Sequence, residues 1–138
     1  MKQLTIVVLM IGLFSLNDRA LAQTMYDYIY TYDYDTFWNI EKVYTNKSAT
    51  VRLIFQDGGK SVDVQHFYGG AWHSGTVYNY ERDESGWDIY YWYQTAPGAV
   101  FRNYLYVKKD KSFFRHEMNS EYSAFGNQNL KSGYKLAE

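Results

Sequence analysis

From residue 50 to residue 118, apolar and polar positions alternate with a two-residue period. Sets of turn residues break this pattern at regular intervals: Asp57-Gly58-Gly59-Lys60, Gly69-Gly70 with Ser74-Gly75, Asp83-Glu84-Ser85-Gly86, Ala96-Pro97-Gly98 and Lys109-Asp110. No helical 3.6-residue stripe stands out. Short alternating runs between Gly- and Asp-rich turns are the signature of an antiparallel meander. Six strands are expected over residues 50 to 118. Two or three more are expected from residues 25–35, 37–44 and 131–137.

Each turn implies a register. Centring the first on Gly58-Gly59 sets Phe55 against Val62, Leu53 against Val64 and Val51 against His66. A turn over residues 83–86 sets Tyr80 against Ile89 and Tyr78 against Tyr91. Around Pro97-Gly98, Tyr93 meets Phe101 and Ile89 meets Leu105. Across Lys109-Asp110, Leu105 meets Phe114. The connection after Tyr68 is ambiguous, and keeping the faces consistent pairs His66 with Tyr78. These registers gather one apolar face: Val51, Leu53, Phe55, Val62, Val64, Tyr80, Trp87, Ile89, Tyr93, Phe101, Leu105, Val107, Phe114 and Met118. A one-residue slip in any hairpin would break that face. One conflict stands out, since Glu81 would oppose Asp88, a like-charge pair that points to a bulge or a shifted register. The expected fold is all-β: an antiparallel up-and-down meander of about six to nine strands, forming a small barrel or strongly curled sheet, with a β-sandwich as the alternative.

Composition sharpens this picture. Sixteen of the 138 residues are tyrosine and only one is proline, a balance that favours pleated sheet. Tyr26, Tyr28, Tyr30, Tyr32 and Tyr34 alternate with Asp27, Ile29, Thr31 and Asp33. In an unbroken strand that spacing places all five rings on one side. The run reads either as an edge strand guarded by its acids or as an adhesive edge.

Lys2 followed by the apolar run Thr5 to Leu16 and by Ala20-Leu21-Ala22 has the form of a signal peptide and its cleavage site. Residues 1–22 are therefore expected to be removed, leaving residues 23–138 as a single β domain. Export to a periplasm or extracellular space follows from this reading, and the lack of cysteine favours a bacterial setting. Cleavage would take two basic residues and one acidic residue, moving the net charge from −1 to −2. This balance speaks against nucleic acid as a partner. No segment after the leader is long and apolar enough for a transmembrane helix.

Two constellations could carry binding. In the expected registers a polar row crosses the inner face: His66, Tyr78, Tyr91, Asn103 and His116. Polar groups converging inside a barrel suit a ligand cavity or a satisfied hydrogen-bond network. The opposite face carries Tyr90, Trp92, Arg102, Tyr104 and Tyr106, with Arg102 set opposite Glu117. Rings flanked by Arg and carboxylates suit stacking on sugars or the centre of a protein contact. Without Cys, HExxH or His-x-His spacing, no metal site is expected, and no cofactor motif is present. No nucleophile elbow or phosphate-cradling loop appears either. The expected function is a secreted or periplasmic non-catalytic binding module for a small molecule or carbohydrate. The alternatives are a surface or matrix protein acting through protein contacts or self-assembly, and a small hydrolase or isomerase.

Overall fold

The computed structural model describes residues 24–35, 40–124 and 126–138, so the expected signal peptide lies outside them. Nine strands follow one another: β1 (Thr24–Asp35), β2 (Ile40–Val43), β3 (Val51–Gln56), β4 (Ser61–Tyr68), β5 (Ala71–Glu84), β6 (Trp87–Ala96), β7 (Ala99–Lys108), β8 (Phe113–Tyr122) and β9 (Gly126–Leu136). They form one antiparallel sheet in the order β2-β1-β3-β4-β5-β6-β7-β8-β9. β1 also pairs with β9, from Tyr28↔Leu136 to Asp35↔Leu130, and this closes eight strands into a barrel with β2 as an extra strand. Closure hides the apolar face without a second sheet, which settles barrel against sandwich. Among the described residues no helix is long and apolar enough to cross a membrane.

The first hairpin has the register its turn implies, with Phe55↔Val62, Leu53↔Val64 and Val51↔His66. The next departs from expectation. Gly69 and Gly70 both take positive φ, 62° and 79°, and make a tight two-residue turn. Such backbone angles are costly for residues with a Cβ. The turn pairs His66 with His73, and after a bulge it pairs Val62 with Tyr78, in place of His66 with Tyr78.

A bulge at Glu81 then shifts β5 against β6, giving Tyr80↔Tyr90 and Arg82↔Ile89. The Glu81–Asp88 pair is replaced by Asp83↔Asp88, two carboxylates bridged by Lys109 at 3.1 and 3.0 Å, with Lys111 3.8 Å from Asp88. The two-residue turn at Pro97-Gly98 sets Tyr90↔Leu105 and Trp92↔Asn103, one residue from the expected pairing. In β7–β8 the shift is two residues, with Leu105↔His116 and Val107↔Phe114, so the faces are kept.

The net effect is confined to β6, whose faces are inverted. Tyr90 belongs to the core cluster and Trp92 packs against it, while Tyr93 is 46 % exposed. Trp87, Ile89, Tyr91 and Tyr93 therefore point outward. Ile89 is nevertheless fully buried there. The core consists of Tyr28, Val51, Leu53, Phe55, Val62, Val64, Tyr78, Tyr90, Leu105, Val107 and Phe114.

β1 also changes face. Its register slips between Tyr30 and Tyr32, leaving Thr31 as a bulge. Tyr26, Tyr28 and Tyr30 stay inside, and the rings of Tyr32 and Tyr34 turn outward. Tyr32 lies flat on Gly133, where any Cβ would collide with its ring. The tyrosine run therefore does not present five rings on one side. Inward behind the bulge comes Asp33, which accepts bonds from Ser132 Oγ at 2.6 Å and Tyr44 Oη at 3.1 Å.

Candidate functional site

Closure of the barrel brings His66 of β4 and His116 of β8 to one interior cavity, shared with Val51, Val64, Tyr78, Leu105, Phe114 and Tyr134. His116 Nε2 lies 3.1 Å from Asn103 Oδ1 and 3.4 Å from the Tyr78 hydroxyl. Four members of the expected inner row, His66, Tyr78, Asn103 and His116, therefore do converge. Tyr91 does not join them. The bulge at Glu81 and the Pro97-Gly98 turn put it outside, tilted against Tyr93 with ring centroids 4.9 Å apart, and Trp92 takes the inner place, 6.5 Å from Tyr78.

The cavity is only about 60 Å³. That is room for one or two waters, far below the size of a small-molecule site. Tyr78, His116 and Asn103 are linked there in one hydrogen-bonded group. Burial holds His116 well below the ordinary imidazole range, at about 4, and the neighbouring His66 charge adds to this, partly offset by Glu117. Burial lowers His66 as well. Among the described residues no three His, Cys, Asp or Glu side chains come together to hold a metal ion.

The buried imidazole makes stability pH-dependent. An unfolded His116 takes up a proton near 6.5, whereas the folded one resists until about 4. Stability is therefore full above 6.5 and falls as pH drops from 6.5 to 4, by about 3 kcal/mol. Denaturant midpoints at pH 7.5 and 4.5 should show this loss. His116→Gln should remove most of it, and an equal loss in the variant would assign the effect elsewhere.

The expected outer face is also rearranged. Arg102, Tyr104 and Tyr106 do point outward. Tyr90 and Trp92 do not, because the inversion of β6 carries them into the barrel. Arg102 lies across from Asn119 and pairs with Glu121 at 3.4 Å, not with Glu117. Glu117 instead binds Arg115 and Lys131, at 3.2 and 3.3 Å. Tyr91 and Tyr93 complete the outer aromatic strip, with the Tyr93 and Tyr104 hydroxyls 3.0 Å apart.

A roomier site lies at the barrel mouth nearest the Asp57–Gly59 turn. It is a cleft of about 610 Å³ lined by Thr24, Tyr26, Phe55, Gly58, Gly59, Lys60, Tyr80, Asp88, Tyr90 and Lys111. Its floor is aromatic. Phe55 meets Tyr26 and Tyr90 edge-on, with centroids 5.9 and 6.0 Å apart, and Tyr80 meets Tyr90 at 5.5 Å. The Tyr90 hydroxyl donates to the Gly59 carbonyl at 2.9 Å and so ties the turn to the floor. The Lys111 ammonium sits 4.5 Å from the Phe55 ring centre, a cation–π contact. Asp88 is held by Lys109 and Lys111, while Lys60 leaves an added positive charge at the rim.

Sequence reasoning missed this site because three of its members were read otherwise. The registers implied by the turns place Tyr90 outside and Tyr80 in the closed core, and the two-residue spacing makes Tyr26 one rung of a tyrosine run. The Glu81–Asp88 conflict was the signal that could have found it.

Comparison of the chain with protein-family models, with curated proteins and with solved structures finds no match. The functional reading therefore rests on the geometry of the molecule.

Proposed function

We propose that the protein is an exported, non-catalytic binding module that holds a small ring-bearing ligand, a sugar or a small organic molecule, at the mouth of its barrel. The observation that carries this reading is the mouth cleft. Its volume of about 610 Å³ lies in the range of small-molecule sites. Its walls pair aromatic faces with a few charged groups, which is the composition such sites use to bind and orient a ring. Export draws support from the leader-like start of the sequence.

Tyr80 is 41 % exposed and forms the accessible wall, whereas Tyr90 beneath it is 2 % exposed and serves the fold. Tyr80→Ala should therefore leave the melting temperature within a few degrees of the parent. It should weaken ligand binding by tenfold or more, equivalent to about 1.4 kcal/mol. The check is amide chemical shifts at Gly58, Gly59 and Lys60, titrated with monosaccharide and small aromatic panels. Saturable shifts that weaken in Tyr80→Ala support the site. Flat titrations, or binding untouched by the substitution, refute it.

A further inference from the structure

At the end of the barrel away from that cleft, β5 and β6 part company. Their ladder starts at Glu84↔Trp87 and ends at Asn79↔Tyr91. β6 runs on through Trp92-Tyr93-Gln94-Thr95-Ala96, paired with β7 alone. β5 runs away toward Ala71, paired with β4 alone. Among the described residues nothing pairs with the β5 side of β6 beyond Tyr91.

The turn tells which backbone groups this leaves. With a two-residue connection at Pro97-Gly98, the closing pair Ala96↔Ala99 carries hydrogen bonds. Bonded and non-bonded pairs then alternate along an antiparallel ladder. Trp92, Gln94 and Ala96 thus bond to β7, and Tyr93 and Thr95 turn their N–H and C=O groups toward the opening.

Free sheet edges are normally guarded by charge, proline, a bulge or brevity. β2, at the end of the sheet order, is four residues long and carries Glu41 and Lys42. The β6 edge is short as well, but it lacks the other three guards. Residues 92–96 contain no charge and no proline, and their ladder with β7 is unbroken.

We propose that this edge binds a partner protein by strand addition: an extended, uncharged peptide segment pairs with the backbone of Tyr93 and Thr95. Strand addition uses main-chain bonds for affinity and alternate side chains for selection. The segment's inward side chains would meet Trp92 and Gln94. Its outward ones would meet Tyr93, which is 46 % exposed, and Thr95. These side chains carry no charge, and Glu81, whose charge reaches the Tyr93 hydroxyl, is already paired with Arg82 at 2.6 Å, so an uncharged segment matches the edge. The occupant is a single strand because the opening is bounded by β6, paired with β7, and by β5, paired with β4 alone. A second copy would have to bring its own hairpin into that space.

The test uses amide hydrogen exchange and a capped Thr-Val-Thr-Val-Thr-Val-Thr peptide. In the free protein, Tyr93 and Thr95 amides should exchange quickly while those of Trp92 and Gln94 are protected. Millimolar peptide should slow Tyr93 and Thr95 by tenfold or more. The same peptide N-methylated at every residue, so that neither of its edges can donate, should have no effect. Thr95→Pro removes a donor that β7 does not use, so it should abolish the peptide effect while Thr95→Val keeps it. Protection of Tyr93 and Thr95 in the free protein overturns the proposal, as does unchanged exchange with peptide or equal protection by the N-methylated peptide. Slowing that follows protein concentration, with a doubled mass, assigns the edge to a second copy and overturns it too.

Discussion

Raising the pH from 9 to 12 is expected to unfold the barrel cooperatively, because its inner tyrosines cannot ionise in place. Burial pushes Tyr90 up to about 12, with Asp88 and Tyr80 adding to the shift and Lys109 opposing it. Burial also pushes Tyr134 to about 12, with Asp33 adding and the Ser132 bond opposing. Tyr28 and Tyr78 are raised further by the same cause. Tyr28 and Tyr90 donate their hydroxyl protons to the Lys111 and Gly59 carbonyls, at 3.0 and 2.9 Å. A phenolate could make neither bond.

The sign follows from linkage. An unfolded tyrosine loses its proton near 10, a folded one near 12, so the contribution is complete below 10 and lost as pH climbs to 12. Each of these two rings contributes about 3 kcal/mol. Their sum approaches the whole stability of a small domain. Phenolate absorbance and circular dichroism should change together in one transition. Tyr134→Phe should keep about 3 kcal/mol more of its pH 9 stability at pH 12. Independent titration of the tyrosines in a barrel that stays folded would contradict this account.

Phe114→Ala is expected to cost about 3–5 kcal/mol at neutral pH. Phe114 is 1 % exposed, stacks on Tyr134 with ring planes 5° apart and centroids at 4.4 Å, and meets Tyr28 edge-on at 4.7 Å. These three rings join β8, β9 and β1 at the closure of the barrel, so the cavity left by the substitution opens where the sheet is sealed. Two tryptophans provide the contrast. Trp92 packs against the core cluster, whereas Trp87 lies outside between Phe113 at 6.2 Å and the Arg115 guanidinium at 5.6 Å. Trp92→Ala should therefore destabilise more than Trp87→Ala in urea melts. The reverse order would contradict the inverted placement of β6.

Much of this fold was legible in the sequence. Gly58-Gly59 set the β3–β4 register to the residue, and the alternation along β7 and β8 placed Leu105, Val107, Phe114, Asn103 and His116 on the correct face. What resisted was β6. Its run Tyr90-Tyr91-Trp92-Tyr93 is aromatic at every position, so neither face is marked by polarity, and only the turns at its two ends could orient it. One of those ends holds a bulge at Glu81, announced only by a like-charge conflict. The same ambiguity misled the site residues, since Tyr91 exchanged places with Tyr90 and Trp92. The bulge at Thr31 was hidden for the same reason, because Tyr recurs on both sides of the slip. The mouth cleft depends on Phe55 of β3 meeting Tyr26 of β1 and Tyr90 of β6, the second a contact across a barrel that is closed only when the first and last strands join.

That joining sets a clock on folding. The bond from Thr31 Oγ1 to the Gly133 carbonyl links residues 102 positions apart, and the β1–β9 pairs lie from 130 − 35 = 95 to 136 − 28 = 108 positions apart. Contacts so distant in the chain delay the rate-limiting step, and domains dominated by them fold in milliseconds to seconds rather than microseconds. During synthesis, one side of β1 from Tyr28 to Asp35 waits without its partner until Leu136 has been made. A nascent chain therefore carries an aromatic strand with an open edge for most of its elongation, and a helper that shields such strands would raise its yield more than any gain in native stability.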